Sequence, residues 1–153
     1  MAFDSNLQRQ IMGRFATGVT LVTTRHGEHI WGMTANAVMS LSLNPPRILV
    51  SIDRKNRMHK HLTLGKCFAV NVLKKDQEAI SRRFASSGPK DFSDLVLSEA
   101  ETGAPILVDA LAFIDCRLVE VLPGGDHDLF IGEPITGETH EGQPLIFYGG
   151  NYV

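Results

Sequence analysis

The run Trp31-Gly-Met-Thr-Ala-Asn-Ala-Val-Met-Ser-Leu-Ser-Leu-Asn-Pro-Pro-Arg47 puts small and hydroxyl-bearing residues where a strand would normally carry bulk. Gly32, Thr34, Ala35, Ala37 and Ser40 give up packing area, and a glycine inside a strand often marks close approach of a ligand or of another backbone. Thr34, Asn36, Ser40 and Ser42 add hydroxyl and amide groups, and small neighbours leave main-chain N–H and C=O groups within reach. This chemistry suits a flat polar heterocycle laid against main chain. Thr34 and Asn36 also fit as ordinary polar residues at a strand end, and residue type alone leaves both readings open.

A second cluster follows in Ser51-Ile52-Asp53-Arg54-Lys55-Asn56-Arg57-Met58, with three cations where the chain is expected to enter a short helix. Helix N-terminal amides with cations beside them form a ready phosphate site. Taken alone, the same three residues serve equally as a solvated face. His127 comes just after Gly124-Gly125-Asp126, at the mouth of a hairpin, where it either faces a pocket or bonds the turn's own carbonyls. The chain closes on Leu145-Ile146-Phe147-Tyr148-Gly149-Gly150-Asn151-Tyr152. Its glycines permit close backbone approach and its tyrosines offer stacking surfaces, while the plain alternative is an aromatic strand that seals the fold.

No nucleophile is paired with a base. His59 and His61 are two residues apart and diverge on a helix, and His26, His29 and His140 fall in turn-like or exposed settings, so no metal site is expected. A G-x-G-x-x-G turn is also missing, which argues against a Rossmann dinucleotide site. Trp31, the single tryptophan, has no role that its neighbours assign.

Positioning these groups falls to a strand-rich chain. Ser5-Asn6-Leu7-Gln8 has capping-box form and Leu7, Ile11 and Phe15 recur at helical spacing, predicting a helix over 5–14 that ends near Gly18. Val19 to Thr24 and Glu28 to Met33 read as strands joined across His26-Gly27. Ile48 to Ile52 and Lys66 to Leu73 read as buried strands, and Asp76 to Ala85 as a helix with Ile80 and Phe84 on one face. From Leu111 to Leu122, Ala112, Ile114, Cys116 and Leu118 share one face opposite Asp115 and Arg117. Val119 and Val121 then take up the other phase, which predicts a bulge or sharp bend. Pro123 to Asp126 reads as a turn, with Asp128 to Ile135 returning antiparallel. Short strands, glycine-rich turns and few helices make this a mainly β chain, a small barrel with a few helices.

At 153 residues, one domain over 1–153 is the natural expectation. Its 43% hydrophobic and 21% charged residues are ordinary for a soluble globular protein. A net charge of -2 speaks against nucleic acid as a partner. No apolar stretch reaches the roughly 20 residues of a membrane span, and the N-terminus does not read as a signal peptide. Cys67 and Cys116 lie in apolar runs without CxxC or Cys/His spacing, as buried reduced thiols of a cytoplasmic protein would.

The 31–47 segment resembles the flavin-binding strand and turn of the short-chain flavin reductases, the reductase partners of two-component flavin monooxygenases. Further matches follow in the family's order: Arg14-Phe-Ala-Thr-Gly-Val19, Cys67-Phe-Ala-Val-Asn-Val-Leu73, Arg83-Phe-Ala85, Gly125-Asp-His127 and Pro144-Leu-Ile-Phe-Tyr148. Together they extend from about Ile11 to Tyr152. The resemblance implies an FMN-binding split barrel. It implies an isoalloxazine against Met33, Thr34, Ala35, Asn36 and Ala37, with Ser40 beyond. Ala37 stands where a serine is common in the family, which removes one hydroxyl contact. Flavin phosphate and ribityl contacts fall on Ser51, Ile52, Asp53, Arg54, Asn56, Arg57 and Met58, and Arg83 and Phe84 border the flavin. His127 corresponds to a histidine near the nicotinamide, where it would bond the carboxamide or help protonate reduced flavin, and it is the one catalytic candidate. Tyr148, Gly149, Gly150 and Tyr152 lie toward the nicotinamide dinucleotide.

The implied activity is hydride transfer from NADH or NADPH to FMN, with FAD as the alternative, supplying reduced flavin to a partner monooxygenase. The flavin brings its own electron sink, which accounts for the missing nucleophile-plus-base pair. A homodimer is also implied. Competing readings are a flavoprotein that retains FMN and reduces another substrate, or a non-catalytic flavin- or haem-binding module on the same barrel.

Overall fold

Alternating apolar positions say which residues face inward but not which strands are neighbours. The computed structural model describes residues 2–153 and resolves that question. Helix α1 (Ser5–Gly13) leads into β1 (Thr17–Gly18), β2 (Thr20–His26), β3 (His29–Ala35), β4 (Val38–Leu43) and β5 (Pro46–Asp53). Helix α2 (Arg57–Gly65), β6 (Cys67–Val72) and α3 (Glu78–Ala85) follow, then β7 (Leu97–Glu99) and β8 (Pro105–Leu107). Two long strands, β9 (Ala112–Gly124) and β10 (His127–Thr139), precede the short β11 (Ile146–Tyr148) and β12 (Asn151–Tyr152). Seven of these strands form one antiparallel sheet in the order β3-β2-β6-β9-β10-β5-β4.

That sheet rolls up because its inward faces share a core. Val22, Ala35, Val50, Phe68, Cys116 and Phe130, from six different strands, belong to one buried cluster. Helix α2 plugs the end of the roll with Met58 and Leu62, which sit one helical turn apart and are both buried. β3 and β4 are the sheet's edges, and no ladder joins them among the described residues. The barrel is therefore split at that seam. A second cluster lies outside it, where Phe84 of α3 meets Val19, Leu73, Leu107 and Leu145.

The predicted phase change at Val119 is a bulge. Ile131 pairs with Glu120 but Gly132 pairs with Leu118, so Val119 is the extra residue on β9. A second shift between Pro134 and Thr136, placed on β10 by its proline, has no counterpart in the sequence reading.

Other expectations need correction. The N-cap of α1 is Asp4, whose carboxylate accepts from the Asn6 amide at 2.9 Å, rather than Ser5. Leu7 and Ile11 lie on this helix and Phe15 just past its C-cap, yet all three are exposed and α1 buries no residue in the single chain. The first hairpin turns at Gly27-Glu28, one residue later than expected, because His26 pairs with His29. The expected helix over 76–85 begins as a 3-10 turn, Lys75–Gln77, before α3. Asp115, on the face opposite Ile114 and Cys116, is also fully buried: its carboxylate accepts from the Glu101 and Thr102 amides, both at 3.0 Å, and from the Thr102 hydroxyl. A loop that covers the outer face of β9 hides it, and no strand periodicity encodes that loop. β4 and the β7–β8 pair were not anticipated. The terminal segment is a hairpin, β11–β12, rather than a single strand, and β11 pairs with β1.

Candidate functional site

Three pieces of the sequence converge on one cleft of about 700 Å³, within the usual size of small-molecule sites. One wall is the free edge of β3, from His29 to Thr34. A second is the Asp53–Met58 link with the first turn of α2, and the third is the end of α3 with the loop 85–92. Gly32 lets the third wall approach the first. A Cβ there would stand 3.2 Å from ring atoms of both Phe84 and Phe92, whose rings pack 4.9 Å apart. The close approach suggested by this strand glycine is thus made by two aromatic side chains.

Polar groups in the cleft are already partly committed. The Thr34 hydroxyl donates to the Ser81 carbonyl at 2.6 Å, which leaves its oxygen free to accept from a ligand. Ser81 Oγ in turn bonds the Tyr152 hydroxyl at 2.6 Å, tying the terminal hairpin to α3. Asn56 caps α2 by accepting from the Met58 amide at 2.9 Å. Asp53 is the one carboxylate among the lining residues, and it accepts from the Lys55 amide at 2.8 Å. Against it stand Lys55, Arg57 and Lys90, so the cleft is electropositive.

Burial lowers the pKa of His61, and the nearby Lys60, His26, Arg57 and His29 lower it further. Burial and then the Arg57 charge likewise lower Lys90. The His61 ring lies flat on Trp31, with centroids 3.5 Å apart and planes 6° from parallel. Among the described residues neither Trp31 Nε1 nor His61 Nδ1 has a hydrogen-bond partner.

Of the residues singled out from sequence, the cleft gathers Gly32, Met33, Thr34, Asp53, Lys55, Asn56, Arg57, Met58 and Phe84. The others lie elsewhere. Ala35 is buried and its carbonyl accepts from the Thr20 hydroxyl at 2.7 Å. Asn36 and Ala37 are exposed in the link to β4, Ser40 is exposed on β4, and Ser51 is half-buried on β5. Ile52 is fully buried in the barrel core. Arg54 is held by Asp128 through Nε at 3.1 Å and Nη2 at 2.9 Å, a pairing that raises the arginine's pKa and lowers the aspartate's. His59 bonds the other Asp128 oxygen at 2.7 Å. Arg83 grips Asp94 with both terminal nitrogens.

His127 opens β10 opposite Asp53 and bonds Asp126 at 2.7 Å, holding the Asp126 pKa down. Tyr148 accepts from Arg14 at 3.2 Å, and Arg82 sits 4.8 Å over the Tyr152 ring. Gly149 and Gly150 have φ of +59° and +84°, the pair of positive values a tight type I′ hairpin turn requires. Sequence reasoning missed Trp31, His61 and the Ser86–Lys90 loop as parts of the cleft. Only the Gly-Pro punctuation after α3 pointed to a loop there, and nothing local says which wall a loop closes. No group of three or more His, Cys, Asp or Glu residues among the described residues could hold a metal ion.

A cleft that sets cations on facing walls, with aromatic and backbone surfaces beside them, can bind and orient a planar anionic ligand. Comparison with known proteins agrees. The family described as "Flavin reductase like domain" matches residues 12–153. The reductase component of 4-nitrophenol 4-monooxygenase/4-nitrocatechol 2-monooxygenase from Rhodococcus opacus is 36% identical over 144 residues, spanning 94% of this chain and 77% of that protein. An NADH-dependent FAD reductase from Streptomyces globisporus is 41% identical over 153 residues, with 94% and 82% covered. The solved structure of flavin reductase PheA2 superposes with a TM-score of 0.91 at 44% identity, covering 99% of this chain and 97% of that one.

Proposed function

Because the chain belongs to the flavin reductase-like family, we infer that it is an NADH-dependent flavin reductase that supplies reduced flavin to a monooxygenase component. The observation that carries this is the cleft itself, where the β3 edge, the α2 N-terminus and Phe84 meet around three cations and one carboxylate. Those features suit a flavin, with its ring system toward Met33, Thr34 and Phe84 and its phosphate toward Asn56 and Arg57. A bound flavin supplies the electron sink for the nicotinamide's hydride. The protein then has to bind, orient and exclude competing chemistry. Thr34, fixed as a donor to Ser81, is left to accept from a ligand N–H. At the α2 N-terminus the Asn56 amide donates to the Asp53 carbonyl and the Met58 amide to the Asn56 side chain, so it is the Arg57 amide and guanidinium that the helix end offers to an anion. His127, beside Asp53 in the ladder, is the candidate for the nicotinamide side.

The same reading extends to a homodimer. Its support is the exposed apolar surface of α1, of the residues just after it and of the β9–β10 hairpin: Ile11 and Phe15 are 53% and 69% exposed, and Val119, Val121 and Leu122 are exposed as well. A second copy is the occupant this reading assigns to those faces. A cytoplasmic site of action is assigned on the same footing, where NADH and the two buried free cysteines are both at home. Among the described residues no helix is long and apolar enough to cross a membrane.

The test is oxidation of NADH, and separately NADPH, with FMN, FAD or no flavin added. Turnover with NADH that depends on added flavin is expected. Turnover without added flavin points instead to a retained flavin, and no turnover in any combination sinks the reductase reading.

A further inference from the structure

Arg83 looks from sequence like a flavin contact, yet in the structure it holds a loop. Its guanidinium bonds both carboxylate oxygens of Asp94, at 2.6 and 2.8 Å, and the Asp91 carbonyl at 2.9 Å. Asp91 in turn caps the next turn by accepting from the Ser93 amide at 2.9 Å, and Phe92 packs on Phe84. The stretch from Ser86 to Asp94 is therefore fastened at its far end, and Lys90 lies in the middle of it on the cleft wall. The Lys90 ammonium donates to the Ser86 and Gly88 carbonyls, which use two of its three N–H donors. Among the described residues it forms no ion pair, and neither does Arg57 on the facing wall. The two are close enough for the Arg57 charge to depress the Lys90 pKa. Two like charges facing one cleft, both without a counter-ion, are mutually unfavourable until an anion lies between them.

We propose that Lys90 is a second cationic contact for the phosphate of a flavin nucleotide, opposite Arg57 and the α2 N-terminus, and that Arg83 is the positioning residue that sets the Lys90 loop. The proposal rests on the flavin reading of the cleft and specifies which of its residues discriminate a phosphorylated flavin from a plain one. Riboflavin lacks the phosphate, FMN carries one and FAD carries a diphosphate, so the three separate charge recognition from ring recognition.

The experiment is equilibrium binding of riboflavin, FMN and FAD, read by quenching of Trp31, the only tryptophan and a wall of the cleft. In Lys90→Gln, FMN and FAD affinity should fall by about tenfold, the scale of one lost charge-assisted bond, while riboflavin stays within about twofold. Lys90→Arg should keep FMN binding. Wild-type FMN affinity should also fall more steeply with salt than that of Lys90→Gln. Arg83→Gln should mimic Lys90→Gln, and the double variant should lose little more, because one residue acts through the other. Equal losses for riboflavin and FMN, or no loss of FMN, in a Lys90→Gln protein with an unchanged circular dichroism spectrum would overturn the assignment while leaving the flavin site standing. Wild-type protein that binds none of the three would overturn both.

Discussion

At the scale of single residues, the His61–Trp31 stack couples protonation to an optical signal. Burial and four neighbouring cationic or titratable groups hold the imidazole below its ordinary pKa of 6.5. The native state thus stays neutral at His61 to lower pH than the unfolded chain does. Its contribution to stability is whole above 6.5 and is lost as pH falls toward the depressed native value. Protonated imidazole against an indole face quenches emission. Fluorescence from Trp31 should therefore fall on acidification with a midpoint below 6.5, and His61→Gln should abolish that step. A midpoint at or above 6.5 would mean that the stack does not shield His61. Neither partner stood out in the sequence, because a lone tryptophan and one of six histidines acquire meaning only when a helix lays one ring on the other.

Among the elements, the long β9–β10 pair was the most legible in advance, and for a local reason. A strand that must keep one face buried has to show a change of phase in its side chains wherever its backbone gains a residue. The switch from Leu118 to Val119 marked that residue. Beside the bulge, the partner strand places Gly132 under the core, where an added Cβ would stand 2.5 Å from the Phe68 ring and 2.7 Å from the Cys116 Cβ. Gly132→Ala should destabilise the fold by about 1–3 kcal/mol in chemical denaturation, the usual cost of overpacking a rigid core. An unchanged midpoint would show that the barrel has slack there. The sequence did not reveal this requirement, since the atoms that crowd Gly132 come from β6 and β9. The same holds for Asp115, which lies opposite the apolar face of β9 and is buried only because the Glu101–Thr102 loop folds over it.

At the scale of the whole molecule, the unburied apolar surface is the feature that asks for a partner. Leu7, Ile11 and Phe15 recur at helical spacing yet stay exposed, so the pattern that normally marks a core-facing helix here faces outward. Light scattering should give the mass of two chains at micromolar concentration, and Ile11→Asp should shift it toward one while the secondary structure persists. Wild-type protein that runs as a single chain would end the dimer reading. Local sequence determined the mainly β class, most strand positions, the bulge and the cation-rich entry to α2. These follow from short-range rules of periodicity, capping and turn chemistry, which act between residues close along the chain. The tertiary structure alone decided that Arg54 and Arg83 are tied up by Asp128 and Asp94, while Arg57 and Lys90 remain for an anion. Arg54 and Asp128 lie 74 positions apart, and a charge's role depends on which counter-charge the fold carries to it across such a separation.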